Sequence, residues 1–346
     1  MTVGGMRMIV VPVENAVGMM LCHDITEIIP GKFKGVAFKK GHIIKEEDIS
    51  RLLDIGKINI FVWEVNDEML HENEAGERIA KAIAGNGICF TEAHEGKVSL
   101  KASCKGLLRI NTEALEKINS TDEAIVATLN KNIMVDEGSA VAGTRIIPLI
   151  IHKEKIQNIE AACKQSGPVI WIDKLKKVKA GIITTGSEVF SGRIEDKFGL
   201  VIKQKLAQVS SEVIKQIFTT DSIPMIVDAI DELLENGAEM IIITGGMSVD
   251  PDDVTPASVK ESGANIISYG APVLPGSMFL IAYKNNIPIL GLPGCVMYHD
   301  VTIFDLVLPR ILAGEVIKKE EIKKLGHGGL CLNCPICTFP KCGFGK

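Results

Sequence analysis

Four cysteines lie close together near the C-terminal end of the 346-residue chain. They are Cys331, Cys334, Cys337 and Cys342, which are separated by two, two and four residues. Neighbouring glycines and prolines indicate a turn-rich segment. Four thiolates this close can hold a zinc ion or an iron–sulfur cluster. The spacing predicts a metal site, with zinc and iron–sulfur equally open, and a tail of incidental thiols is the alternative.

A second group of residues suited to chemistry follows several apolar runs of the sequence. Three loops combine glycine with hydroxyl side chains, and they span residues 184–196, 244–253 and 291–294, with residues 274–277 as a related segment. Glycine lets the backbone approach a ligand closely, and hydroxyl and amide groups can hold phosphate without positive charge. The loops therefore predict an oxyanion ligand.

The same loops are rich in carboxylates. They contain Glu188, Asp196, Asp250, Asp252 and Asp253. A phosphate facing several carboxylates is repelled unless a divalent cation lies between them, and oxygen ligands of this kind favour Mg²⁺. The alternative is a set of solvated acidic turns. The sequence has no Walker A lysine and no Gly-x-Gly-x-x-Gly after a strand, which disfavours P-loop and ordinary dinucleotide sites.

Residues 178–314 alternate apolar strands with amphipathic helices, as a parallel sheet requires. Strands are predicted at 181–184, 212–218, 240–243 and 287–290, and helices at 198–206, from 221 or 222 to 236, and at 298–313. Ligands of such sheets lie outside the carboxyl ends of the strands, where the three loops fall. The expected fold class is α/β, a three-layer doubly wound and mostly parallel sheet.

The chain before residue 178 reads as smaller modules. We expect a strand-rich module with one helix at 1–65 and an α+β accessory domain and connector at 66–177, with a helix near 73–83 and the connector at 152–177. The α/β domain then spans 178–315, and the cysteine-rich tail spans 316–346. The histidines have no metal-ligand spacing and are expected at the surface or at helix caps.

Charge and hydropathy exclude several function classes. Lys plus Arg number 38 against 43 Asp plus Glu, a net charge of −5, so there is no basic surplus for nucleic acid. The longest apolar runs fall far short of the roughly 20 residues that cross a bilayer, and the N-terminus has no signal-peptide pattern. We expect a cytoplasmic protein with reduced thiols and no membrane partner.

The loop motifs together resemble the molybdopterin-binding domain of molybdenum cofactor biosynthesis proteins. The matching pieces are Thr185-Gly186-Ser187-Glu188, Gly192-Arg193-Ile194-Glu195-Asp196, Thr244-Gly245-Gly246-Met247-Ser248 with Asp253, Pro275-Gly276 and Gly291-Leu292-Pro293-Gly294. The resemblance implies that these residues bind molybdopterin or its adenylylated form. It also implies that the Thr244–Ser248 loop grips the pterin phosphate, that Glu188, Asp196 and Asp253 bind Mg²⁺ or face the metal-insertion site, and that the protein is a homo-oligomer.

The sequence departs from catalytic members of that family. They have Lys-Pro-Gly-Lys-Pro where this chain has Leu274-Pro275-Gly276-Ser277-Met278, and they differ at Phe198, Asp250 and Cys295-Val296. Lost lysines remove charge-assisted contacts to a polyanion. Ligand binding is therefore expected, and molybdate insertion is left open. The alternatives are a carrier that delivers cofactor to a molybdoenzyme apoprotein, a metal or redox module working through the tail, and a nucleotide pyrophosphatase variant.

Overall fold

The structure is a computed structural model that describes residues 6–29, 33–65, 68–248, 250–251 and 253–346. Its described residues divide into two compact units. Unit 1 draws on Met1–Cys104, Arg109–Leu129 and Asp136–Ile172, and unit 2 on Lys105–Leu108, Asn130–Val135 and Asp173–Lys346.

The first half of the chain is built of short strands and four helices in its described part. The strands are β1 (Met6–Pro12), β2 (Ile25–Ile29), β3 (Phe33–Phe38), β4 (Asn59–Val65), β5 (Met69–His71), β6 (Ile88–Phe90), β7 (Val98–Ala102), β8 (Gly106–Ile110), β9 (Ala124–Thr128), β10 (Met134–Val135), β11 (Ala140–Ile146), β12 (Ile150–His152) and β13 (Ile170–Asp173). The helices are α1 (Asp48–Asp54), α2 (Glu72–Ile83), α3 (Thr112–Asn119) and α4 (Lys153–Ser166). Antiparallel pairs β1–β4, β2–β3 and β5–β12 and a four-stranded sheet of order β6-β7-β11-β9 organise unit 1.

The helix expected in the 1–65 module and the one near residues 73–83 are confirmed as α1 and α2. Most of the segment expected as the connector, 152–177, forms α4 and β13, which the sequence analysis did not predict. Ile156, Ile159 and Cys163 are buried on one face of α4. Their spacing of three and four residues is the helical signal that the connector interpretation missed.

His71 is the N-cap of α2. For this residue, the expectation that the histidines lie at helix caps or at the surface is confirmed. Its Nδ1 accepts a hydrogen bond from the Asn73 backbone N–H at 3.2 Å, and its Nε2 lies 3.0 Å from the Cys22 carbonyl oxygen. Lys40 Nζ lies 3.0 Å from the same Nδ1. Burial, assisted by the Lys40 charge, lowers the pKa of His71 from 6.5 to about 4. The neutral imidazole is therefore the form that the fold requires.

The α/β domain lies within the Asp173–Lys346 part of unit 2. Its strands are β14 (Lys179–Thr185), β15 (Glu212–Thr219), β16 (Met240–Thr244), β17 (Asn265–Tyr269), β18 (Leu280–Lys284) and β19 (Ile287–Leu292). Its helices are α5 (Ser187–Phe190), α6 (Phe198–Gln208), α7 (Ile223–Glu235), α8 (Thr255–Glu261), α9 (Ile303–Leu312) and α10 (Lys319–Lys324). The strands form one sheet of order β15-β14-β16-β19-β18-β17.

The three-layer α/β prediction is confirmed. The first four strands in that order run parallel, while β18 and β17 are antiparallel additions at one edge that the sequence analysis did not predict. One face of the sheet packs in a core with Ile202, Leu206 and Phe304, and the other with Ile230 and Val259. Helices therefore cover both faces, as parallel sheets require.

The last predicted helix starts later than residue 298. A 3-10 turn occupies Gly294–Met297, and α9 begins at Ile303 behind a capping box in which Thr302 and Asp305 satisfy each other's backbone N–H groups. The helix continues through Pro309 to Leu312. The capping pair, rather than apolar periodicity, sets where the helix begins.

Arg310 of α9 ties the end of this helix to the segment that follows it. The residue is 4% exposed, and its guanidinium pairs with the carboxylates of Glu315 and Glu321.

In the described part of the chain, no helix is both long and apolar enough to span a bilayer.

We expect Arg310→Ala to lower the free energy of unfolding of unit 2 by about 3 kcal/mol, because it leaves partly buried carboxylates without their cation. Lys324→Ala is the matched control. Its ammonium lies 3.7 Å from Glu321 on a side chain that is 78% exposed, so a loss below about 0.5 kcal/mol is expected. Chemical denaturation followed by circular dichroism measures both, and equal losses would contradict the assignment.

We expect His71 to make unit 1 less stable in acid. The unfolded chain protonates this residue near pH 6.5, whereas the folded chain resists protonation down to a pKa of about 4, so unfolding takes up a proton in that window. Stability falls as the pH drops from 6.5 toward 4. His71→Asn keeps a capping side chain without a titrating group and is expected to reduce this fall.

Tryptophan fluorescence suits this measurement, since Trp63 and Trp171 are the two tryptophans of the sequence and both belong to unit 1. His152→Asn is the control, because His152 precedes α4 but makes no side-chain cap hydrogen bond. If His71→Asn and the unsubstituted protein lose stability equally on acidification, His71 is not responsible.

Candidate functional site

A cavity of about 810 Å³ opens at the carboxyl ends of β14, β16 and β19. Thr184 of β14 is paired with Thr244 of β16, and Thr244 is paired with Leu292 of β19. Parallel register therefore places the three loops that follow these strands side by side. The cavity is the place where the sequence analysis expected a ligand.

Ten of the predicted ligand and catalytic residues line this cavity. They are Thr185, Glu188, Asp196, Thr244, Gly245, Gly246, Ser248, Asp253, Pro293 and Gly294. The structure thus brings together residues that lie more than 100 positions apart in the sequence.

The other five predicted residues, Gly186, Ser187, Pro275, Gly276 and Gly291, do not line it. Gly186 and Ser187 donate backbone N–H groups to the Thr219 carbonyl and the Asp221 carboxylate. A Cβ on Gly276 would fall 2.5 Å from the Ile303 side chain, and one on Gly291 would fall 2.7 Å from Met247 Sδ. These residues position the loops by close packing, and their contact with a ligand stays a prediction.

The turn after β16 requires glycine at two successive positions. Gly245 has φ +92° and Gly246 has φ +57°, and a Cβ on either would collide with the hydroxyl of Thr185 or Thr255 at 2.5 and 2.7 Å. Side chains are both strained and crowded out here. The backbone of β16 therefore lies directly against that of β14.

Two side chains donate hydrogen bonds to carbonyl groups of this turn. Thr255 Oγ1 donates to the Gly245 carbonyl at 2.9 Å, and Tyr269 Oη donates to the carbonyls of Met247 and Ser248 at 3.3 and 3.2 Å. Burial, together with the Asp253 charge, raises the pKa of Tyr269, which keeps its proton available for these contacts. The sequence analysis did not single out Thr255 or Tyr269, because neither follows an apolar run.

The backbone amides of Gly246, Met247 and Ser248 donate to no other atom of the described residues. Buried or partly buried N–H groups are normally paired, so amides of a cavity wall that have no partner among the described residues are suited to an anion. An anion bound to this turn stays a prediction.

Thr185 adds a free hydroxyl to these amides. Its Oγ1 is buried and has no hydrogen-bond partner in the part of the chain that the structure describes, although the residue is only 5% exposed. The hydroxyl of Thr244 differs, since it donates to Thr184 Oγ1 and to the Ile183 carbonyl within the sheet. Of the two predicted threonines, Thr185 is the one whose donor is left for a ligand.

The acidic residues are partly engaged in positioning. Asp196 accepts from the Gly199 amide at 3.0 Å and from Gln216 Nε2 at 2.5 Å, which fixes the start of α6. Asp253 accepts from the Asp250 amide at 3.0 Å. Glu188 lines the cavity with an exposed side chain. Asp252, which was predicted with them, lies outside the described residues.

These carboxylates do not make a metal site by themselves. Across the described ranges, no three His, Cys, Asp or Glu side chains are arranged to hold a metal ion. Mg²⁺ in phosphate sites is often held by one or two carboxylates with substrate phosphate and water, so the magnesium prediction depends on the ligand.

Two exposed cationic side chains line the cavity. Arg193 and Lys197 line it from the segment between α5 and α6, and neither makes an ion pair with another described residue. Met278, Met297 and Tyr298 supply apolar walls. Lys197 was missed because it lies one residue beyond the Gly192–Asp196 motif.

The four tail cysteines border a separate cavity of about 490 Å³. Their thiols are free, and the structure does not bring any three of them into metal-binding geometry. The zinc or iron–sulfur site that the spacing predicted is therefore absent as a preformed site in the described tail.

Part of the α/β region is similar to known proteins. Residues 181–313 match a family model described as a probable molybdopterin binding domain, and residues 10–64 match a domain of unknown function. A molybdopterin adenylyltransferase of Pyrococcus furiosus is 30% identical over 95 residues, which is 28% of this chain and 56% of that protein. A molybdopterin molybdenumtransferase of Haemophilus influenzae is 28% identical over 159 residues, 44% of this chain and 38% of that protein.

The chain therefore spans about half or less of these relatives' own length. Among solved structures, the molybdopterin biosynthesis enzyme MoaB of Thermus thermophilus is 22% identical, with a TM-score of 0.33, over 40% of this chain and 98% of that one. Residues 181–313 thus match the molybdopterin-binding family that the loop motifs indicated, and the predicted resemblance is confirmed.

Proposed function

We propose that unit 2 binds molybdopterin or its adenylylated form, with the phosphate held between β14 and β16, and that the protein acts in molybdenum cofactor biosynthesis. The observation that carries the proposal is the buried hydroxyl of Thr185, which has no partner among the described residues and lies beside the Gly245–Gly246 turn. An orphaned donor next to free amides is best explained by an anionic ligand that accepts from both.

The charges around the cavity suit a phosphorylated ligand. Arg193 and Lys197 offer cations at its rim, and the amides of Gly246, Met247 and Ser248 offer neutral donors. A volume of about 810 Å³ is within the range of small-molecule sites and leaves room for a pterin beyond its phosphate. In this proposal Mg²⁺ joins Glu188 or Asp253 to the phosphate, and it remains a prediction.

Two roles are consistent with such binding, and different observations favour each. The alignment with a molybdopterin molybdenumtransferase over 159 residues favours molybdate insertion. The uncharged Leu274 and Ser277, which stand where catalytic members of the family have lysines, favour a carrier that delivers the cofactor to a molybdoenzyme. AMP release from adenylylated molybdopterin upon addition of molybdate and Mg²⁺ identifies the transferase, and binding without release identifies the carrier. Self-association and a cytoplasmic location stay predictions.

Thr185→Val tests the phosphate contact with an almost isosteric change. We expect affinity for molybdopterin to fall about tenfold, since one hydrogen bond to a charged group is worth roughly 1.5 kcal/mol or more. Isothermal titration under anaerobic conditions measures it. The stability of unit 2 is expected to be unchanged, because the lost hydroxyl has no partner in the protein.

Thr219→Val is the matched control for this variant. Thr219 is paired with Thr185 across the sheet and also has a buried hydroxyl without a partner, but it does not line the cavity. Its substitution is expected to leave the affinity unchanged. Equal affinities for both variants would show that the Thr185 hydroxyl does not contact the ligand.

Gly246→Val tests the turn itself. The added side chain would collide with Thr255 Oγ1 at a residue with φ +57°, so the turn must move and its amides lose their direction. We expect molybdopterin affinity to fall by more than about 100-fold, which is the loss of several charge-assisted contacts.

Gly263→Val controls for backbone strain, since Gly263 has φ +83° after α8 but nothing within 4 Å of a Cβ. It is expected to lower stability by about 1 kcal/mol and to leave binding intact. Retention of tight binding by Gly246→Val, with circular dichroism showing a folded protein, would refute the proposed phosphate site.

A further inference from the structure

The C-terminal segment forms a loop whose two ends are fixed to unit 2. The Gly345 amide donates to the Gly328 carbonyl at 2.9 Å, which closes the loop at its neck. Beside the neck, the Leu274 amide donates to the Gly329 carbonyl at 2.7 Å, and the Cys331 amide donates to the Leu274 carbonyl at 2.8 Å. The cysteines therefore stand on an anchored loop rather than on a trailing end.

The four cysteines fall into two pairs within this loop. Cys331 and Cys342 are partly buried and pack against the unit 2 core. Cys334 and Cys337 are exposed at the tip. All four nonetheless border the same cavity of about 490 Å³. Cys331 and Cys342 thus have fixed positions, whereas Cys334 and Cys337 lie on an exposed segment of the same loop.

The tip of the loop, which carries Cys334 and Cys337, exposes apolar side chains to water. Leu332 and Ile336 are 83% and 80% exposed, and the residues between Cys331 and Cys342 form no helix or strand. Bulky apolar side chains that are exposed on one short loop are stabilised when other atoms cover them. The tip thus has no regular backbone hydrogen bonding to break if it moves toward the neck.

The sulfur of Cys331 accepts one backbone hydrogen bond. The Asn333 amide donates to Cys331 Sγ at 3.5 Å, and Asn333 adopts φ +51° to do so. An N–H group directed at sulfur stabilises the negative charge that a metal-bound thiolate carries, as hydrogen bonds to the sulfurs do in metal–sulfur centres. This contact is a second observation, independent of the spacing.

We propose that Cys331, Cys334, Cys337 and Cys342 bind a thiophilic metal centre, a zinc ion or the iron of an iron–sulfur cluster. Cys331 and Cys342 are the fixed ligands, and the tip brings Cys334 and Cys337 to the metal. Four sulfur ligands select this class of metal over Mg²⁺. Each thiol that binds releases its proton to solvent, so metal uptake acidifies the medium.

The proposed centre lies next to the phosphate cavity, because Tyr298 borders both cavities. The proposal does not depend on pterin binding, since its ligands are all in the tail. Failure of molybdopterin to bind would leave it intact, and absence of metal would leave the proposed function intact.

Metal analysis of the full chain, purified without oxygen, tests the proposal. We expect about one zinc or about four iron per chain. A colourless protein with zinc identifies the single ion, and a brown protein with visible absorption that oxygen bleaches identifies the cluster. The double variant Cys334→Ser/Cys337→Ser is expected to lose at least about tenfold in metal content. Its fold should persist, because both side chains are exposed.

Cys89→Ser is the matched control, since Cys89 is an exposed thiol of unit 1. It should retain the full metal content. Three results would overturn the proposal: no metal before or after reconstitution with zinc or with iron and sulfide, equal metal in the double variant, or a disulfide between tail cysteines in the anaerobic protein.

Discussion

The candidate site depends on one close approach, that of the Gly245–Gly246 turn to the end of β14. No Cβ fits at either glycine without striking the hydroxyl of Thr185 or Thr255. This contact brings the loops of two parallel strands within reach of one ligand group. Thr255 and Tyr269 then bind carbonyl groups of this turn, and its amides donate to no other described residue.

Much of unit 2 was predictable because its signals are local and strong. Met240–Thr244 is wholly buried and apolar except for its final threonine, as is typical of a central parallel strand. The glycine and hydroxyl residues that follow it mark where the chain must approach a neighbour. Since parallel strands end at one edge of a sheet, the convergence of Thr185, Thr244 and Pro293 followed from strand order alone.

Other features depend on tertiary contacts that no local pattern encodes. Whether Thr185 or Thr244 keeps a free hydroxyl is decided by Thr184, which accepts the Thr244 proton across the sheet. Whether Asp196 faces a ligand or caps a helix is decided by Gln216, 20 residues away. The antiparallel edge strand β17 was missed because it is only partly buried and lacks a continuous apolar run. Its neighbour β18 was missed although its first three residues are buried and apolar.

The tail also changes where the α/β domain ends. Ile317, Ile322 and Phe344 are at most 5% exposed and belong to the same core as α6 and α9, although they lie beyond the family match that stops at residue 313. A fragment trimmed to that match would present their vacated contact surface to water. The packed α/β core is therefore larger than the stretch that the family model matches, and expression boundaries for this domain belong after Phe344.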